Sequence, residues 1–401
     1  MGIVAQKMAA VKGSQTRAMT QLAADLRAQG RKVIALTQGE PDFATPSNII
    51  SAATRALEAG HTKYTPTPGI PELREAIVRK LRRDNGLDYK ASQVTVGVGA
   101  KQVLFDMLFA SLDAGDEVVI PTPCWGSYVE MVQLAGGVPV TLATRAEQRF
   151  VPQPEDLARA ITPRTKWLML NSPNNPTGSV CSEDELLAIA EVLRRHPQVW
   201  LLTDDIYEKL VYDNTQFRTI PQLAPDLVER TVVINGVSKA YSMTGWRLGY
   251  AAGPQEIIDA ANIVQSQTVS HPASVSQYAA LEALAGPQDF LPGFVQSFVE
   301  RRNLIVDRLQ AMPGLECPMP QGAFYVFPSC RNLFGRRTPD GGTIDNDTDL
   351  AMYLLGSAGV ALVPGGSAFL APGHIRISYA QSRANIVEAC DRMDEALRAL
   401  R

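Results

Sequence analysis

Five short segments, each following an apolar run, carry side chains placed to do chemistry. Gly99-Ala100-Lys101 follows VTVGV (94–98) and opens a stretch with helical character. Small residues at a helix start leave backbone N–H groups free to meet a phosphate, though a turn that merely needs small residues reads the same way. Pro121-Thr122-Pro123-Cys124-Trp125 follows EVVI (117–120), and Trp125 offers either a stacking face or core packing. Asn171 to Gly178 (NSPNNPTG) follows KWLML (166–170). That is turn chemistry, but long and densely polar for the end of a buried strand. Asp204-Asp205-Ile206-Tyr207 follows VWLLT (199–203). A carboxylate there is costly unless it meets a cation or caps a helix. Gly236-Val237-Ser238-Lys239 follows TVVIN (231–235), with Arg247 eight residues further on. A lysine there reads as a surface residue in isolation and as a Schiff-base former inside a cleft.

Ligands of open α/β sheets bind beyond the carboxyl ends of the strands, so these segments converge on one rim. A phosphate cradle, a stacking aromatic, a carboxylate, a tyrosine, a lysine and an arginine are the equipment for pyridoxal phosphate. The lysine gives the Schiff base, the carboxylate meets the pyridinium nitrogen, and the rest holds the anion.

The elements that must position these residues alternate as an α/β fold does. Those five runs, together with 138–142 (VPVTL) and 247–252 (RLGYAA), give seven strands. Several are near-continuously apolar, as strands buried on both faces of a mainly parallel sheet are. A helix is expected over 47–59 with Ser47 as its N-cap and Gly60 as its stop. A second starts at Pro71, carries Leu73, Ile77 and Leu81 on one face, and ends before Gly86. Ser182 and Glu185 form a capping box for a helix over 183–195. After Gly286 the pattern changes to a long helix near 290–311, short strands near 322–327 and 374–379, a polar surface loop over 331–346, and an amphipathic C-terminal helix from about 382. The expected division is an N-terminal arm contributing to a small domain (1–46), a large cofactor-binding domain (47–290) and a small α+β domain (291–401).

Composition excludes several classes. The 401 residues carry 38 basic and 41 acidic side chains, a formal charge of −3. That balance argues against nucleic acid or an acidic membrane as partner. Five cysteines (124, 181, 317, 330 and 390) without a C-x-x-C spacing, and four scattered histidines, predict no disulfide framework and no metal site, and fit a reducing cytoplasm. The N-terminus has no apolar signal region. Residues 350–375 lack Asp, Glu, Lys and Arg, but seven glycines and prolines would break a membrane helix there. The run reads as helix, strand, then loop.

With these residues in view, the chain resembles the pyridoxal-phosphate aminotransferases of class I/II (the aspartate aminotransferase superfamily, fold type I), and within it the bacterial aspartate/prephenate branch. The resemblance rests on GEPDF (39–43), KYTP (63–66), GIPELR (69–74), residues 171–178 and 204–207, Ser238-Lys239, MTGWRLGY (243–250) and RISY (376–379). It implies a ping-pong transfer of an amino group between an L-amino acid and a 2-oxo acid. Lys239 would carry the cofactor and move the proton, Asp204 would bind the ring nitrogen, and Asn175 and Tyr207 the ring oxygen. Trp125 would stack on the ring, while Gly99, Ala100, Lys101, Ser238 and Arg247 would hold the phosphate. Tyr64 would reach the phosphate of a second subunit in a homodimer. Arg376 would clamp the substrate α-carboxylate, aided by Gly39 and Asn175. Lys101, Thr16 and Lys12 would meet a distal carboxylate, giving aspartate, glutamate or another dicarboxylic acid as substrate.

The chain departs from the family at Gly236, where many relatives place a serine on the phosphate, and at Cys124, where an aromatic is common. Gln15 and His271 fall in substrate-side segments and bear on specificity. The same cofactor residues also serve a lyase or decarboxylase, and a reshaped pocket would suit aromatic or neutral amino acids. A transcription regulator on this scaffold would need a helix-turn-helix ahead of residue 47, and the segment there is not strongly basic.

Overall fold

The first strand, β1 (Ile34–Ala35), is two residues long; the seven that follow form one sheet. They are β2 (Val94–Gly97), β3 (Glu117–Thr122), β4 (Val138–Ala143), β5 (Thr165–Asn171), β6 (Trp200–Asp204), β7 (Thr231–Gly236) and β8 (Gly249–Ala252), the seven apolar runs with ends shifted by at most two residues. The structure is a computed structural model describing residues 3–9 and 11–401. The strand order is β2-β8-β7-β6-β5-β3-β4. Only β8 runs against its neighbours; the other pairings are parallel. Val96, Val118, Leu168, Leu201 and Val232 are fully or almost fully buried, because helices cover both faces and water reaches neither.

The order reverses between β3 and β5. β4 lies on one side of β3, whereas β5, β6 and β7 run out on the other. Loops leaving the carboxyl ends diverge at such a switch point and leave a crevice. Trp125 follows β3 and the 171–178 segment follows β5, so both border that crevice.

A smaller unit is built from the far end of the chain. β9 (Tyr325–Val326), β11 (Val363–Pro364) and β12 (Ile375–Ser378) form an antiparallel sheet in the order β11-β12-β9, and β10 (Val360–Ala361) pairs in parallel with β1. Helices Phe290–Gln310 and Arg383–Arg398 pack on it around Phe298, Ile305, Leu309, Ile386 and Met393. The β1–β10 pairing ties residues 34–35 to this unit, and Leu36 joins its core.

Local signals are followed with three differences. Pro71 opens helix Pro71–Asn85, left-handed Gly86 closes it, and the Ser182–Glu185 capping box is formed. Ser47, in contrast, is the first residue of helix Ser47–Glu58 rather than its cap; Pro46 holds the cap position, with no side-chain bond. The strand expected near 322–327 shrinks to Tyr325–Val326, and Ala323 takes a left-handed φ of 57° that β pairing cannot use. The polar 331–346 loop is on the surface but pinned by buried Leu333, Thr338 and Ile344. The uncharged run from 350 breaks into the end of helix Asp347–Tyr353, a π turn, β10, β11 and, where a loop was expected, a short helix Gly365–Phe369. Among the described residues no helix is long and apolar enough to cross a membrane, and no cluster of His, Cys, Asp or Glu is placed to hold a metal ion. All five cysteines are buried and unpaired.

Candidate active site

Lys239 lies three residues beyond β7, and its Nζ donates to the Gly39 carbonyl at 2.7 Å. The residue is half-buried, and desolvation of the amine, with Arg376 and Arg247 nearby, brings its pKa down to about 8. A lysine held there is neutral far more often than one in water, which is what a nucleophilic amine requires. Its Nζ stands 5.9 Å from the centre of the Tyr207 ring.

Asp204 is the last residue of β6 and buried. Tyr128 donates to its Oδ2 at 2.6 Å and the Ile206 N–H to its Oδ1 at 3.4 Å. Even so, burial pushes its pKa up to about 6. Such a carboxylate gains by meeting a cation, and a protonated pyridine nitrogen is one. Asn171, at the end of β5, organises the neighbouring backbone. Its Nδ2 donates to the Asp204 carbonyl at 2.8 Å, and its Oδ1 accepts the Asn175 N–H at 2.9 Å.

Arg376, on β12, is buried and reaches in from the opposite side. Its Nη1 donates to Asn175 Oδ1 at 2.9 Å, its Nη2 to the Thr37 carbonyl, and its Nε has no partner among the described residues. The guanidinium lies over the rings of Tyr325 (4.5 Å) and Phe369 (4.8 Å). Tyr325 in turn shares a 2.9 Å hydroxyl contact with Tyr207. A buried guanidinium with no carboxylate partner among the described residues and an unpaired Nε could take an incoming carboxylate.

The third corner is the start of helix Ala100–Ser111. A Cβ on Gly99 would stand 2.7 Å from Arg247 Nη2, and one on Gly249 would strike Ala100. Glycine at both positions thus lets a guanidinium and free helix N–H groups approach one point. Arg247 is itself left-handed (φ 54°), and its Nη1 is fixed by the Thr244 carbonyl at 3.0 Å. The Gly236 departure has a steric reason: a Cβ there would stand 3.0 Å from Gly249 Cα across the β7–β8 pair. Ser238 is buried beside Lys239. Trp125 meets Tyr128 edge-on at 5.4 Å. Lys101 Nζ lies 4.4 Å over the Trp125 ring and donates to Ser127 Oγ at 3.1 Å.

A phosphate-bearing pyridine aldehyde fits this donor set. Gly99, Ala100 and Arg247 would make the anion cradle, Asp204 would meet the ring nitrogen, and Lys239 would supply the amine. Three further expected residues make no contact with Lys239, Asp204 or Arg376 among the described hydrogen bonds. Tyr64 is 92% exposed and packs edge-on against His271 at 5.6 Å. Lys12 is exposed, with its backbone N–H on Glu130 at 2.6 Å. Thr16 is half-buried, and its carbonyl accepts from Thr20. Thr20 reaches Thr37, the residue whose carbonyl holds Arg376. Gln15 donates only to the Gly13 carbonyl. Cys124 is buried, and its thiol pKa is pushed up to about 12.

Tyr128, Tyr325, Thr37 and Phe369 were not anticipated. Tyr128 carried a signal, lying one helical turn after Trp125. Tyr325 and Phe369 carried none, since aromatics in apolar runs read as core.

The fold and this arrangement define a pyridoxal-phosphate-dependent transaminase, and the chain belongs to the aminotransferase class I and II family, whose model matches residues 31–393. It is 52% identical to the aspartate/prephenate aminotransferase of Cereibacter sphaeroides over 98% of both chains. Among solved structures it is similar to the aspartate aminotransferase of Rhizobium meliloti (TM-score 0.97, 49% identity, all of both chains). It is also similar to that of Thermus thermophilus with maleate (TM-score 0.92, 44% identity, 99% of this chain and 100% of the other).

Proposed function

We propose that the enzyme transfers the amino group of a dicarboxylic L-amino acid, with aspartate and glutamate/2-oxoglutarate as leading substrates and prephenate as a further acceptor. The observation that carries this reading is the convergence of a desolvated amine at Lys239 with a buried carboxylate at Asp204 and a buried guanidinium at Arg376. The names of the relatives support the substrate class. When bound, pyridoxal phosphate supplies an electron sink that makes the α-hydrogen of an attached amino acid acidic. Lys239 Nζ would hold the cofactor at rest and, once displaced, would carry the α-proton. Asp204 would keep a negative charge at the ring nitrogen, and Tyr207 and Asn175 would bond the ring oxygen. Trp125 would cover the ring face. Arg376 orients the α-carboxylate, with the Gly39 backbone and Asn175 beside it. Lys101, with Thr16 and Lys12 from the N-terminal segment, is assigned to the distal carboxylate.

The same reading makes the enzyme a homodimer divided at residues 46 and 290, working in the cytoplasm. Helices Ala100–Ser111 and Gln255–Thr268 leave Phe109 and Ile263 half or more exposed, with Val269 and Tyr64 exposed too. Exposed apolar side chains in such number support a partner surface, and Tyr64 would then serve the neighbouring phosphate. Mixing Lys239→Ala and Tyr64→Ala proteins should yield hybrid dimers more active than the sum of the parents; fully active monomers in sedimentation would contradict it. The substrate reading is tested by mixing the cofactor-loaded enzyme with each amino acid alone and following the visible cofactor absorbance. Aspartate and glutamate should bleach it fastest, with the matching 2-oxo acid as product. A response to aromatic or neutral amino acids only, or a product of elimination or decarboxylation, would overturn it.

A further inference from the structure

The loop after β4 carries two adjacent non-glycine residues in the left-handed region, Arg149 (φ 54°) and Phe150 (φ 57°). Side chains with a Cβ disfavour that conformation, and two in succession persist only where surrounding contacts impose them. Here the contacts lie across the boundary between the two sheet units. Arg149 donates to Glu185 Oε1 at 2.6 Å on its own side and to Gln321 Oε1 at 2.6 Å on the other. The Phe150 ring lies edge-on to Phe327 (6.0 Å) and to His374 (5.6 Å), which are themselves stacked at 5.0 Å.

The chain of rings continues inward. Phe327 meets Phe369 edge-on at 5.9 Å, and Phe369 lies 4.8 Å under the Arg376 guanidinium. Phe369 is fixed from the other side as well, because its carbonyl accepts the Cys124 N–H at 3.2 Å, next to Trp125. His374 and Arg376 lie two residues apart at the start of β12. An aromatic column thus runs from the large-sheet loop to the buried guanidinium. Edge-to-face ring pairs and a guanidinium over a ring are geometrically specific contacts, so the position of Phe150 bears on that of Arg376.

We propose that Phe150 is a positioning residue for substrate: it seats the smaller unit through Phe327, His374 and Phe369 and so sets Arg376 for the α-carboxylate. Among the described residues Phe150 shares no ring pair or hydrogen bond with Lys239, Asp204 or Arg376, so it should act on substrate affinity and leave the cofactor in place. This rests on the reading of Arg376 as the α-carboxylate site.

The test uses the cofactor-loaded enzyme and maleate, an unreactive dicarboxylate, titrated against the visible absorbance. Phe150→Ala should raise the maleate Kd, and the KM of both amino acid and 2-oxo acid, by roughly two- to tenfold, the effect of losing one or two aromatic contacts. The saturated rate, cofactor absorbance and cofactor retention should not change. Phe150→Tyr, which keeps the ring, should restore affinity. If Phe150→Ala does not fold, Phe150→Leu carries the same comparison against Phe150→Tyr. An affinity that stays at the wild-type value while Tm falls would overturn the proposal and leave Phe150 a structural residue. Arg376→Lys separates the two readings. If it weakens maleate and Phe150→Ala does not, the column is wrong and the site stands; if maleate binds Arg376→Lys normally, the α-carboxylate assignment itself is wrong.

Discussion

The lysine side of the cleft and the arginine side are built differently. Lys239, Asp204 and the Gly99 cradle hang on the ends of parallel strands and take their positions from backbone geometry. Arg376 belongs to a three-stranded sheet whose strands are only two to four residues long. It is placed by the stacked rings of Tyr325 and Phe369 and by bonds to Thr37 and Asn175. The first side is fixed by secondary structure and the second by side-chain packing between two units. Changes on the lysine side should therefore destroy chemistry, and changes on the arginine side should weaken binding in a graded way.

The largest effect that comparison predicts is at Lys239. Lys239→Ala should lose essentially all turnover while still binding the cofactor noncovalently, measured by steady-state assay and by dialysis. Next comes Asp204→Ala, which should cost at least about 10²-fold in kcat even with saturating cofactor, the low end for losing a preorganised charge partner. Near-wild-type turnover would merge the two sides and end the distinction.

Lys101→Ala sharpens the arginine side. If Lys101 meets the distal carboxylate, losing a charge-assisted contact of about 1.5–3 kcal/mol should lower kcat/KM for aspartate by roughly 10–150-fold. Alanine and phenylalanine, lacking that group, should be almost unaffected. An equal fall for all three would move Lys101 to the cofactor phosphate.

This division also marks what was legible in the sequence. The seven strands and the segments after them stood out because buried parallel strands are apolar runs and their ends turn abruptly polar. Lys239, Asp204 and Arg247 could be picked out on that ground. Arg376 could not: Ile375 to Ser378 is a short strand in a Gly- and Pro-rich stretch, and it was reached through family resemblance. Tyr325, Phe369 and Phe150 were invisible for a physical reason. An aromatic that braces a guanidinium and one that fills a core follow the same pattern of burial, and only the ring geometry separates them. Ser47 shows the limit at element ends, where Pro46 took the cap position without a side-chain bond.

The smallest predicted effect is on stability. Asp205, next to Asp204, is buried with Oδ2 unpaired, and burial pushes its pKa up to about 8 from the ordinary 3.8. The folded state therefore holds a proton that the unfolded chain releases between those values. The Asp205 contribution falls as pH rises from about 4 to 8 and stays low above it. Asp205→Asn, which cannot ionise, should be more stable than the parent by roughly 1–3 kcal/mol at pH 9, the scale of an unsatisfied buried polar group. At pH 5 it should differ little, and Tm at the two pH values measures this. A gain that shrinks as pH rises would reverse the sign of the argument.

The most direct test of the lysine side is borohydride reduction of the loaded enzyme followed by peptide mapping. The structure predicts a single stable pyridoxyl group, on Lys239. A pyridoxyl group on Lys101, Lys209 or any other lysine, with Lys239 unmodified, would contradict the placement of the chemistry at the end of β7.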